Sequence, residues 1–279
     1  MAGAGRLATV LLPGARELLA YHARELPQRD DLCGAFCGAL ALNAAGILRV
    51  KDEPTDQDTV GLAAGSIVSV GRDPATLPDG ESGRRDYRLA VPTIDDPDVS
   101  GTTAEGVARA IDALGGGAVV AIPYSGPWTP ETLDGAFDAA AELADPVTLI
   151  ANLATHHLWG GTRGGPSPAQ LLAYLFDGEL DGPPPDWDVG HFSCIVASTE
   201  GPHGRLYAVA DTYPALGDRG VHLQPRERLA AAIAREDKPA GGVLAVVSRA
   251  DADRLRERAA ALGLTEGLWD NGTVSERAA

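Results

Sequence analysis

A chain of 279 residues, 44% of them hydrophobic, has material for one large core or two small ones. Its formal net charge of −16 argues against nucleic acid as a partner, because such binding needs basic patches. Three cysteines cannot all pair, and the C-x3-C spacing of the first two suits no usual zinc knuckle, so free thiols in a reducing, cytoplasmic setting are expected.

At the N-terminus, Arg6 precedes an apolar run that Pro13 and Arg16 cut short, which makes a poor secretion signal. No apolar run approaches the length that spans a bilayer, so no membrane role is expected. From Pro13 to Leu26 leucines recur at helical spacing until Pro27. The charged stretch "QRDDL" follows as a loop. "CGAFCGALALNAAG" then reads as a helix with almost no polar face, which only a central position tolerates.

Residues 52–100 are rich in Pro, Gly and Asp and read as loops with short elements between. Thr102 and Glu105 form a capping box that opens a helix. "AVVAIPY" is a buried strand, "TPETLDGAFDAAAELA" a helix capped by Thr129 with Pro130 first, and "PVTLIANL" another strand. Residues 160–188 form an excursion bounded by Gly and Pro, with one helix capped by Ser167, Pro168 and Gln170. Its apolar stripe makes it a lid or a piece of core. The strands "HFSCIVAS" and "RLYAVADTYP" come next, joined by "TEGPHG". A helix, the strand "GGVLAVVS" and a last helix complete an α+β pattern. The chain is expected to form one domain over residues 1–267, with a frayed polar tail at 268–279.

Cys33 opens the apolar helix, where unpaired N–H groups and the helix dipole lower a thiol's pKa. Cys37 lies one turn deeper among Ala and Leu and is expected to be inert core. Gly34 leaves room for a substrate backbone beside the sulfur. A thiol nucleophile needs an imidazole to take its proton and a carboxylate to orient the imidazole. His191 starts one strand and Asp211 ends the next, so a tight hairpin would make them neighbours. Taken singly, each has a plain structural explanation: small core thiols, a strand-end His, a turn Asp.

The order of these elements resembles the papain-like cysteine peptidases, and most of all the phytochelatin synthases and the peptidases that cut after double glycine. "LCGAFCGALAL" is similar to the family's Phe-Cys-Gly-Leu-Ala-Ser-Leu helix start, and "GHFSCI" to its Gly-His-Phe-Ser-Pro-Ile. "VADTYPALGDRGVHLQP" follows the outline of its Leu-Asp-Val-Ala, Tyr-Pro-Pro and Trp-Val-Pro-Leu run, and "AGGVLAVVS" its Gly-Phe-x-Leu-Ile-Ser strand. The likeness covers residues 28–50 and 146–248. It implies N-terminal helices packed on an antiparallel sheet, Cys33 as nucleophile, His191 as general base, Asp211 as orienting carboxylate and Gln28 as oxyanion donor. Gln28 precedes Cys33 by five residues where the family has six, and Cys194 replaces a proline. Residues 249–279 hold no cysteine, so the metal-activated activity of the phytochelatin synthases is not expected.

Asn152, His157, Trp159 and Gly190 are expected at the substrate cleft. A metal site at His156 and His157 is not expected, because adjacent side chains on an extended segment point opposite ways. No Gly-x-Ser-x-Gly elbow occurs. These residues lead to acyl transfer through a thioester on Cys33, with a peptide or small amide-bonded substrate and no cofactor. The other reading is a non-catalytic papain-like protein that binds a partner.

Overall fold

The computed structural model describes residues 6–273. β1 (Ala8–Leu11) leads into α1 (Ala15–Glu25), and residues 28–32 turn the chain into α2 (Cys33–Ala44). The short pair β2 (Arg49–Val50) and β3 (Glu53–Pro54) precedes α3 (Gln57–Ala64), capped by the Asp56 carboxylate, which accepts from Thr59 N at 2.9 Å. β4 (Val68–Ser69) pairs in parallel with β5 (Thr93–Ile94), and α4 (Ala104–Leu114) follows. Then come β6 (Val119–Ser125), α5 (Pro130–Ala141), β7 (Thr148–Ala154) and α6 (Pro168–Asp177). The chain continues through β8 (Gly190–Glu200), β9 (Arg205–Ala210), β10 (Val221–Pro225) and α7 (Arg226–Ala234). It closes with β11 (Gly242–Ser248), α8 (Ala252–Ala261) and β12 (Thr265–Glu266).

Eight strands form one antiparallel sheet in the order β10-β9-β8-β7-β11-β6-β12, with β1 beside the far half of β8. The architecture is thus α+β. Gly34 to Ala44 are all buried, as an apolar helix without a polar face requires. α2 packs on β7 and β8 and is enclosed by α1, α3 and α4, while α5, α7 and α8 form a second group of helices. Among the described residues no helix is long and apolar enough to cross a membrane.

The local capping signals read from the sequence hold for α5 (Thr129, Pro130) and α6 (Ser167, Gln170). For α4 the cap is Thr103, whose hydroxyl accepts from Gly106 N at 2.9 Å, and not Thr102, which instead bonds Ser66 at 2.8 Å. The frayed tail is corrected over 268–273. Trp269 is buried and donates to Asn152 Oδ1 at 3.1 Å, and Asn271 donates to Thr102 O at 3.1 Å. Residues 274–279 lie outside the described residues. In the excursion, Tyr174 and Leu175 of α6 are buried in a cluster with Trp159 and Leu206, so this helix packs against the β9–β10 side as core.

Candidate active site

Residues 28–31, read as a charged loop, are largely buried anchors. The Asp30 carboxylate accepts from Arg84 N at 2.9 Å. Asp31, at φ 64, accepts from Ser69 N and Ser69 Oγ at 2.8 Å and pairs with Arg72 at 3.1 Å. These ties hold the turn that delivers Cys33 to the first position of α2. No side chain caps this helix, so its first N–H groups remain available.

Cys33 is partly exposed in a cavity of about 470 Å³, lined also by Gln28, Arg72, Thr102, Asn152, Gly190, His191 and Arg235. His191, at the start of β8, lines the same cavity and is near enough to Cys33 for each to shift the other's pKa. Its Nε2 faces Asp211 Oδ1 at 3.0 Å, which leaves Nδ1 as the nitrogen for sulfur. Burial would push the Cys33 thiol up, but the hydrogen bond and charge of His191, the Phe192 backbone and Arg72 outweigh it and hold the thiol below its ordinary value. Burial works against the His191 imidazolium, yet Asp211 and Cys33 push its pKa up to about 10. Burial would raise the Asp211 carboxyl, but His191 and His222 hold it well below the usual carboxylate range. The surroundings thus favour the charged forms of His191 and Asp211 and lower the cost of ionising Cys33.

Cys37 is fully buried, and burial together with its neighbour Cys194 pushes its thiol well above the ordinary value. The two cysteines four apart therefore have opposite environments. Gln28 is buried. Its Oε1 accepts from the Thr212 hydroxyl and its backbone N donates to Thr212 O at 2.9 Å. The amide nitrogen has no acceptor among the described residues, and Gln28 lines the same cavity as Cys33.

Other expected contacts come out differently. A Cβ on Gly34 would stand 3.0 Å from Val107, 3.1 Å from Thr102 and 3.2 Å from Phe192, so this glycine serves close packing and leaves no room for substrate. Asn152 lines the cavity with its amide already engaged: Nδ2 donates to His191 O at 3.3 Å, and Oδ1 accepts from Arg235 and Trp269. Gly190 is exposed on the cavity wall, as expected. Trp159 is buried against Tyr174 at 5.8 Å, away from the cavity, and is no substrate wall. His157 also lies outside the cavity lining. It and His156 sit in a single 3-10 turn, so their side chains converge on Asp237 rather than diverging. Their ligating atoms lie within 4.8 Å of one another.

The sequence reading missed several neighbours of the site. Trp187 packs edge-on to the His191 ring at 4.7 Å, and Tyr213 stacks on it at 6.2 Å. Together they shield the His191–Asp211 bond from water. His222 Nε2 donates to Asp211 Oδ2 at 3.3 Å, with its Nδ1 accepting from Gln224 at 3.0 Å. His22 Nε2 meets the Asp211 carbonyl oxygen at 2.5 Å. A polar residue inside an otherwise apolar strand or helix face was the available signal for His222 and His22.

The fold and this cavity define an α+β protein in which a thiol and a paired imidazole share one opening. The model of a family described as "family of unknown function (DUF6885)" matches residues 12–270, and the chain belongs to that family. A search of the curated proteins finds no match.

Proposed function

We propose that the protein is a cysteine-dependent acyl-transfer enzyme of papain-like fold. The reading is carried by one observation: Cys33 and His191 line a single cavity, and His191 Nε2 is hydrogen-bonded to the buried Asp211 carboxylate at 3.0 Å. In this mechanism the Cys33 thiolate attacks the carbonyl carbon of a peptide or small amide. The Cys33 and Gln28 N–H groups take the developing oxyanion, and the His191 imidazolium gives its proton to the leaving amine. The amine departs and a thioester remains on Cys33. Water or a second amine, deprotonated by His191, then attacks the thioester and frees the thiolate.

Intact-mass detection of an acyl adduct on Cys33, after incubation with peptide and amide libraries, tests this. His191→Ala should slow adduct formation by about 10²–10⁴-fold, the usual share of a positioned general base. An adduct on Cys37 or Cys194 instead, or a full-rate His191→Ala variant, would remove the proposal's support.

A further inference from the structure

Charge is distributed unevenly in the cavity that holds Cys33. Besides His191, its cations are Arg72, Arg235 and Lys238. Arg72 is paired with Asp31 at 3.1 Å, and Lys238 with Asp188 at 2.7 Å. Arg235 has no ion pair among the described residues, in a chain whose formal net charge is −16. It is only 3% exposed. Its Nη1 donates to the neutral Asn152 Oδ1 at 2.5 Å, and its Nε is buried with no acceptor. Its Nη2 lies beside exposed Gly190, 3.1 Å from where a Cβ there would stand, and has no acceptor among the described residues.

A guanidinium does not discharge, so a buried one without a counter-charge is costly. Burial already drives its pKa down. The neighbouring acid, Asp237, is exposed and engaged by His156 and His157. The backbone adds strain, since Arg235 caps α7 at φ 51, a left-handed position where glycine is favoured. Glycine would relieve both penalties. An arginine kept here gains its partner when an anion enters the cavity. A singly charged carboxylate suits the site better than a phosphate, because Asp31, Asp73, Asp98 and Asp188 also line the opening and would repel a second negative charge.

We propose that Arg235 is a recognition residue for a carboxylate on the substrate, seated beside Gly190 next to the carbonyl that Cys33 attacks. The substrate class is then an amide that carries a free carboxylate close to the bond to be cut. This rests on the acyl-transfer reading of the same cavity.

The test uses isosteric pairs that differ only in charge. Ligand-observed NMR titration compares N-acetylglycine with N-acetylglycinamide on the whole protein, and alkylation of Cys33 compares iodoacetate with iodoacetamide. N-acetylglycine should bind and its amide should not. Arg235→Gln should weaken that binding and slow iodoacetate by about tenfold, the loss of one charge-assisted hydrogen bond, with the iodoacetamide rate little changed. Arg235→Lys should retain most of both. The imidazolium of His191 also attracts iodoacetate, so the variant-to-native difference isolates the share of Arg235. Should Arg235→Gln fail to fold, the native titration and Arg235→Lys decide. Equal binding of acid and amide, an unchanged iodoacetate rate in a folded Arg235→Gln, or inorganic phosphate displacing N-acetylglycine at lower concentration would overturn the proposal. Selective iodoacetamide labelling of Cys33 without carboxylate binding would sink this inference alone. Carboxylate binding through Arg235 with an inert Cys33 would sustain the anion site and sink the acyl-transfer reading.

Discussion

Gly34→Ala puts one methyl group into the tightest contact beside Cys33. The added carbon would lie 3.0 to 3.2 Å from Val107 Cγ2, Thr102 Cβ and Phe192 Cδ2, where carbon pairs ordinarily rest at about 3.5–4.0 Å. None of the three can give way cheaply. Val107 and Phe192 are buried on α4 and β8, and Thr102 is held by its bond to Ser66. Overpacking of this kind costs about 1–3 kcal/mol. Alanine in place of glycine inside a helix returns about 1 kcal/mol. The net is a destabilisation of about 1 kcal/mol, or a fall of roughly 2–4 °C in Tm. Phe192 adjoins His191, so the strain should also displace the imidazole and slow Cys33 alkylation. Thermal melting by circular dichroism and iodoacetamide kinetics read the two effects. An unchanged or raised Tm would refute the packing account. An unchanged Tm with impaired substrate reaction would restore the view that Gly34 makes room for substrate.

Cys37→Ser should leave Cys33 labelling intact and cost about 1–3 kcal/mol, because it buries a hydroxyl where a fully enclosed thiol stood. Denaturant melts check this, and a variant of native stability would show the helix face to be less apolar than its packing implies. Replacing residues 162–187 with a Gly-Ser linker should lower Tm by several degrees, since Tyr174 and Leu175 leave a buried cluster and Trp187 leaves the face of His191. A shortened protein with native Tm and altered substrate range would make the segment a lid.

Much of this molecule can be read from local chemistry. The caps at Thr129 and Ser167 lie within four residues of what they bond, and α2 announces its burial by having no polar face. Cys33, His191 and Asp211 were legible because a helix start and two strand ends restrict where their side chains stand. What failed depends on distant partners. Gln28, Asp30 and Asp31 look like loop residues until Thr212, Arg84, Ser69 and Arg72 arrive to satisfy them. β10 was overlooked because His222 and Gln224 interrupt its apolar pattern, and both are buried by a polar network around Asp211 and Trp159. Nothing local distinguishes Trp159, which packs under α6, from Trp187, which covers His191. The convergence of His156 and His157 follows from a 3-10 turn that the extended reading of that segment did not include.

The central claim is that His191 activates the Cys33 thiol, and the pH dependence of its alkylation tests this most directly. Iodoacetamide is added at each pH, and the three cysteines are separated by peptide mass mapping. The Cys33 thiol is held below its ordinary value, and His191 stays charged up to about 10. The Cys33 rate should therefore reach its plateau at a lower pH than a free thiol does, and His191→Ala should move that plateau upward, with Cys37 and Cys194 unlabelled until the protein is denatured. A rate that climbs about tenfold per pH unit toward the ordinary thiol value of roughly 8.5, or labelling of Cys37 ahead of Cys33, would contradict the account.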